Sequence, residues 1–390
     1  MIVMNQNSKP SPAEGGVLEA PKRTLFQENW NLFRKNRLAM AGLVIFVIFF
    51  IIAVGGFFLT YGRSPVFDPA LVRLQEKLRP PLSKPNLETL KPEELPRLGI
   101  YLFGTDDLGR DIFSRMLQGA WVSLTVGFIA VGIAVVIGVF LGGIAGYYGS
   151  SQIPLGHLLA CLLLGGGVIA IVAGRTAMGI SLILFGGATA ALLIRVGYAE
   201  GKRPIPKALS VLFFNLFSVD VLITGLIDIM LCFPVFFLIL TVVALIPSKI
   251  HYIMIVIGLT SWMGSARFIR AEFLSLREQD FVTAAKALGV SDWRIIFRHM
   301  VPNAMSPVLV SATIGIASAI LIEAGLSFLG FGDASYATWG NILSSGKDFL
   351  FDAPWLTFVP GFAVLIVVLA FNLFGEGLRD VLNPKLKERH

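Results

Sequence analysis

Four sets of residues have types and spacings that bear on chemistry. Asp228 and Glu323 each lie within an apolar run. A carboxylate at bilayer depth costs about 2.5–3.5 kcal/mol to insert, so such a group lines a water-filled path, relays a proton or ion, or is held by hydrogen bonds that set helix packing. The string FGTDDLGRD brings Asp106, Asp107 and Asp111 together. Capping of the following helix by Thr105 or Asp106, and pairing with Arg110 and Arg115, explain these acids better than a carboxylate site. Gly340 to Asp348, GNILSSGKD, has the outline of a phosphate loop, but five residues separate its glycines where that loop has four, and Asp348 stands where it has Ser or Thr. No nucleotide site is assigned. The fourth set is Asp280 to Asn303, DFVTAAKALGVSDWRIIFRHMVPN, a polar-faced segment between strongly apolar runs.

This last segment reads as two short helices. Phe281, Ala284, Ala285 and Leu288 recur at i, i+3, i+4 and i+7. Gly289 breaks the pattern, Ser291 can cap a new start, Trp293, Ile296, Phe297 and Met300 repeat the spacing, and Pro302 ends it. Lys286, Arg294, Arg298 and His299 fall on the other faces. An amphipathic hairpin of this kind either docks into a groove on another protein or lies on lipid headgroups, and the pattern leaves both open.

The same residues carry a resemblance. Ala284-Ala285, three residues, Gly289, and an apolar stretch closed by Pro302 resemble the EAA loop of ABC-importer membrane subunits, in the form found in the dipeptide/oligopeptide/nickel permease family. FGTDDLGRD matches that family too. Thr283 stands where the family usually has Glu, Val301 where it has Leu, His299 where the broader superfamily prefers Ile, and Gly225 where a basic residue is common. The resemblance covers all but roughly residues 151–217. It implies the second membrane subunit of an importer, working by alternating access. The partners it implies are a second permease subunit, two cytoplasmic ATPase subunits and an extracytoplasmic substrate-binding protein. It assigns the docking loop to Thr283, Ala284, Ala285, Gly289, Trp293, Arg294 and Pro302, with Trp293, Ile296 and Phe297 packing that loop against the membrane core. Di- or oligopeptide is the cargo it implies first, with nickel or oligosaccharide as alternatives.

The elements that must position these residues are membrane spans. Hydrophobic residues make up 55% of the chain and charged ones 15%, against about 25% charged in soluble domains. The net charge of +7 comes from short basic clusters beside apolar runs, which excludes a nucleic-acid surface and fits charge bias at membrane ends. His157, His251, His299 and His390 show no ligand spacing, and Cys161 and Cys232 stand alone in apolar runs. No metal, no cofactor, no catalytic triad and no enzymatic activity are expected. Energy then comes from a partner ATPase or from an ion gradient. In the second case the chain is a secondary transporter with Asp228 and Glu323 as relays, although no inverted repeat is visible. A non-transporting membrane scaffold is the third reading.

In chain order, residues 1–37 form a cytoplasmic tail and an amphipathic entry helix from Pro21 to Arg37. Residues 38–60 are a charge-free first span, with Arg34, Lys35 and Arg37 placing the N-terminus inside. Residues 61–118 are a proline-rich external segment and 119–150 a glycine-rich second span. Residues 151–217 are an inserted transmembrane hairpin, turning at Gly174-Arg175-Thr176, followed by a basic loop and an interfacial helix near Leu212, Phe213, Leu216 and Phe217. Residues 218–377 complete the core, with a kink at Pro234, the loop 280–303 inside, and an external helix around Trp339 to Phe349. Residues 378–390 are a cytoplasmic tail. The expected fold is an all-α polytopic transmembrane bundle of the type I importer permease class, with six core spans and two inserted ones, in the cytoplasmic membrane.

Overall fold

Regular structure in the computed structural model is almost wholly helical among the residues it describes, 25–382 apart from 63, 89, 150, 173 and 198–214. The N-terminal polar tail, Leu212 and Phe213, the basic loop at Lys202, Arg203 and Lys207, and the C-terminal Lys385, Lys387 and Arg389 lie outside the described residues. The helices are α1 (Leu25–Lys35), α2 (Arg37–Thr60), α3 (Ile112–Tyr147), α4 (Leu155–Val172), α5 (Thr176–Gly197), α6 (Val219–Cys232) and α7 (Val235–Leu245). They continue as α8 (Ile250–Thr260), α9 (Met263–Leu276), α10 (Asp280–Ala287), α11 (Asp292–Phe328), α12 (Trp339–Gly346) and α13 (Trp355–Leu382).

Five stretches are long and apolar enough to cross a membrane: α2, α3, α8 with α9, α11 and α13. The pair α6–α7 makes a sixth if it counts as one broken span. It bends by 82° at Phe233-Pro234, where proline removes a backbone donor and clashes with the preceding turn. The chain is a multi-pass membrane bundle.

Local chemistry explains the boundaries. Asn36 stops α1 and caps α2, its side-chain oxygen accepting from the Leu38 and Ala39 amides at 3.1 Å. α3 starts at Ile112, earlier than the expected 119, and its cap is Asp111 rather than Thr105 or Asp106. Its carboxylate accepts from the Phe113 and Ser114 amides at 3.2 and 3.3 Å and from the Ser114 hydroxyl at 2.6 Å. Asp106 takes the other role read from the sequence. It is fully buried, paired with Arg110 at 2.7 Å and with Arg115. The Leu108 and Arg110 amides also donate to it. The residues around Thr105 and Asp106 are thus held without regular structure, and the Trp355 indole N–H reaches the Thr105 carbonyl at 3.2 Å.

α3 is the hub, packing against α2, α6, α8, α9, α11 and α12. Toward α9 it presents Gly138, Gly142 and Gly146, one per turn. A Cβ on them would fall 2.6 Å from Ser265 Cβ, 2.3 Å from the Ala266 oxygen and 2.4 Å from Phe273 Cβ. The stripe lets the two backbones touch, the usual means of helix association where lipid removes the hydrophobic drive. α4 and α5 pack chiefly on each other, with Gly167 and Gly179 at their crossing. Below them Gln152–Pro154 pairs antiparallel with Asn215–Ser218 in a short ribbon, so Leu216 and Phe217 are strand and not the expected interfacial helix. The Gly340–Lys347 stretch lies mostly in α12, which removes any likeness to a phosphate-cradling loop.

Candidate functional site

α10 and the start of α11 meet at one end of the bundle, opposite the end formed by residues 61–111 and 329–354. α10 closes in a Schellman turn. The Val290 amide donates to the Ala285 carbonyl at 3.1 Å and the Gly289 amide to the Lys286 carbonyl at 3.0 Å. Gly289 has φ +72°, a left-handed conformation that side chains disfavour, and nothing lies within 4 Å of where its Cβ would be. The turn needs glycine for its backbone alone. Ala285 and Val290 both pack against the buried cluster that includes Val282 and Ile295.

The expected apolar stripe exists but faces away from the chain. Phe281, Ala284 and Leu288 are exposed, Leu288 by 82%, whereas Val282, on the opposite side of the helix, is fully buried. Val282 joins Ile269, Phe273, Ile295, Ile296, Met300 and Val308 in a small core that seats α10 on the bundle. Ile296 and Phe297 pack inward as expected. Trp293 does not: it is 62% exposed, with its ring against Phe297 at 4.2 Å and near Phe140. Thr283, Arg294 and Pro302 are exposed as well, and Ala285 is half-buried. Ser291 occupies the cap position without a side-chain cap bond.

Pro302 does not end the second helix. α11 runs unbroken from Asp292 to Phe328, with a π-helical stretch at Ile295–Met300. The Val301 amide bonds five residues back to the Ile296 carbonyl, and Pro302, which has no N–H to give, falls where the register returns to α.

Two tyrosines, with no local signal beyond an aromatic pair at a span end, complete the site. The Tyr147 hydroxyl donates to one Asp292 oxygen at 2.6 Å and the Tyr148 hydroxyl to the other at 3.1 Å. The Lys286 ammonium lies 4.9 Å from the Tyr147 ring centre. Nearby, Arg270 on α9 forks onto Asp220 on α6, its Nη2 at 2.7 Å.

The two intramembrane acids are not brought together. Asp228 projects from α6, more than half exposed, and pairs with Arg267 on α9 at 2.8 Å. Glu323 is fully buried and accepts from the Ser327 hydroxyl at 2.7 Å. It touches neither the cavity of about 570 Å³ lined by Phe268, Glu272, Ser306 and Arg379 nor that of about 200 Å³ lined by Ala130, Ser265 and Ser311. Its hydrogen bond stays within its own helix. Among the described residues no group of His, Cys, Asp or Glu is arranged to hold a metal ion.

Residues 208–388 match the family described as "Binding-protein-dependent transport system inner membrane component", and residues 24–81 match "N-terminal TM domain of oligopeptide transport permease C". The chain is 32% identical over 387 residues to the dipeptide transport system permease protein DppC of Alkalihalophilus pseudofirmus, covering 99% of this chain and 97% of that one. It is 29% identical over 388 residues to DppC of Bacillus subtilis, covering 99% and 93%. To the oligopeptide transport system permease protein OppC of the same organism it is 29% identical over 384 residues, covering 97% of each.

Proposed function

The chain belongs to the family of inner-membrane permease components of binding-protein-dependent transport systems, and from that premise we propose that it is one of two membrane subunits of an ATP-driven importer of di- and oligopeptides. Its relatives are named for dipeptide and oligopeptide transport, which favours peptide over nickel or oligosaccharide. The type I importer permease fold supplies the framework, and as a transport subunit the chain does no hydrolysis of its own.

ATP is hydrolysed by two partner subunits, and the observation that carries this reading is the outward apolar stripe of α10. Phe281, Ala284 and Leu288 stand exposed on a short helix that is otherwise seated firmly by Val282. This is the arrangement of a helix that fits a groove on another protein, with its far side anchored so that it is moved as a body. Thr283, Trp293, Arg294 and Pro302 flank the contact and Ala285 with Gly289 shapes its turn. The site lies on the cytoplasmic side, as do both termini, and the binding protein delivers peptide to the opposite end.

The Asp228–Arg267 pair faces outward from α6 and α9, and charges of this kind are costly against lipid. That surface supports a neighbouring permease subunit or the aqueous path between the two. Closure of the ATPases then moves α10 and α11 and rocks the spans between outward- and inward-open arrangements.

Purification of the chain from its native membrane tests the docking. ATPase subunits are expected to come with it, and Leu288→Glu, at a site too exposed to disturb folding, is expected to release them. Full retention in that variant contradicts the assignment.

A further inference from the structure

Two mechanical routes lead from the docking helix into the bundle. One follows the chain, from the Gly289 turn into α11, and passes through the π-helical stretch Ile295–Met300. Hydrogen bonds there are wider and poorer than in an α-helix, a feature that recurs at functional sites and makes that stretch compliant. The other bypasses it. Asp292, the first residue of α11, has both carboxylate oxygens held by hydroxyls from the last turn of α3 and the residue that follows it, at 2.6 Å from Tyr147 and 3.1 Å from Tyr148. Lys286, from α10 itself, stands over the Tyr147 ring at 4.9 Å, adding a cation–π contact to the same residue.

We propose that Tyr147, Tyr148 and Asp292 form a latch that transmits motion of the docked α10 directly to α3, and that these are positioning residues for coupling ATP hydrolysis to peptide movement. The inference rests on the ATPase-docking reading and deepens it. Three elements meet in this cluster: α10 through Lys286 on the Tyr147 ring, α11 through the Asp292 carboxylate, and the end of α3 through the tyrosines. α3 is the helix with most neighbours in the bundle, so a displacement delivered to its end reaches α2, α6, α9 and α11 together. A carboxylate taking two hydroxyl donors holds them more strongly than neutral pairs do and sets a defined angle between the elements. The wider Val282 core holds α10 on the bundle, but apolar contacts slide where hydrogen bonds to one carboxylate do not.

The test uses the whole complex, purified with its ATPase subunits and reconstituted in liposomes. Peptide uptake and phosphate release are followed in the same vesicles. The Tyr147→Phe/Tyr148→Phe double variant keeps both rings, including the one under Lys286, and removes only the hydroxyls. ATPase co-purification and ATP turnover are expected to persist while peptide taken up per ATP falls by about tenfold or more, tenfold being the factor that loss of a single hydrogen bond to a charged group produces in an equilibrium. Tyr148→Phe alone, which removes only the longer and more exposed bond, is expected to show a smaller fall and gives the reading if the double variant does not assemble. An unchanged uptake-to-ATP ratio in either variant overturns the latch. Absence of ATPase from the wild-type preparation instead overturns the docking reading on which it rests.

Discussion

Replacing Gly289 isolates the contribution of backbone conformation to docking. With φ at +72° and no atom within 4 Å of the Cβ position, a substitution there clashes with nothing and changes only the conformational preference of the turn. Gly289→Ala is expected to cost ~1 kcal/mol, the left-handed penalty of about 1–2 kcal/mol reduced by the entropy that alanine removes from the unfolded chain. Gly289→Asn should cost a few tenths, roughly, since Asn tolerates this region. Gly289→Pro fixes φ near −65° and removes the amide that donates to the Lys286 carbonyl at 3.0 Å, a loss of about 3 kcal/mol. Because a partner binds only the formed turn, these costs appear as weaker apparent affinity, by up to about fivefold for Ala and about a hundredfold for Pro. The assay strips the ATPase subunits from the purified complex, adds them back in a titration to each variant, and checks that the variants elute and melt like wild type. The order glycine, Asn, Ala, Pro is the expected result. Equal loss in Asn and Pro, or no loss in Pro, refutes the conformational argument.

Other perturbations probe what holds the site in place. Asp106→Ala leaves Arg115 buried without its partner and should destabilise the chain by about 3–5 kcal/mol, seen as lost yield and a lower melting temperature in detergent. Gly142→Ala puts a Cβ 2.3 Å from the Ala266 carbonyl oxygen, forcing α3 from α9 at a cost of about 1–3 kcal/mol, read from thermal unfolding; Gly132→Ala, where nothing lies within 4 Å, is the matched control and should be neutral. Burial works to raise the Asp333 carboxyl, but amide donors from Ser335 and Ile250, together with Lys249, outweigh it and hold it below its ordinary value. A depressed acid contributes stability above its unfolded pKa and loses it as pH falls through the folded one. Protease resistance of the 329–338 loop should therefore be flat at neutral pH and decline only below about pH 4.

What the sequence made legible follows from what each signal depends on. Apolar runs, the bend at Pro234, the helix after Thr338 and the pairing of Asp106 with Arg110 and Arg115 rest on local chemistry, and the structure carries all of them. The α10 stripe is periodic as read, but periodicity cannot say whether an apolar face meets its own chain or another one; Val282, one residue out of phase, turned out to be the inward contact. Pro302 reads as a terminator because an α-helix has no place for it, whereas the π-helical stretch before it shifts the register that proline interrupts. The Tyr147–Asp292 bond joins residues 145 apart in the chain, beyond any spacing argument. Likewise Leu216 and Phe217 look helical until the strand at Gln152–Pro154, on the other side of the α4–α5 hairpin, pairs with them.

The central claim is that ATP hydrolysis by docked subunits drives peptide inward through this chain. The most direct measurement is peptide uptake by proteoliposomes holding the native complex and its binding protein, under two conditions: ATP supplied with the ion gradients collapsed, and gradients imposed with ATP depleted. Uptake in the first and none in the second is the predicted result. Uptake that follows the gradient and ignores ATP contradicts the account and returns Asp228 to the role of an ion relay.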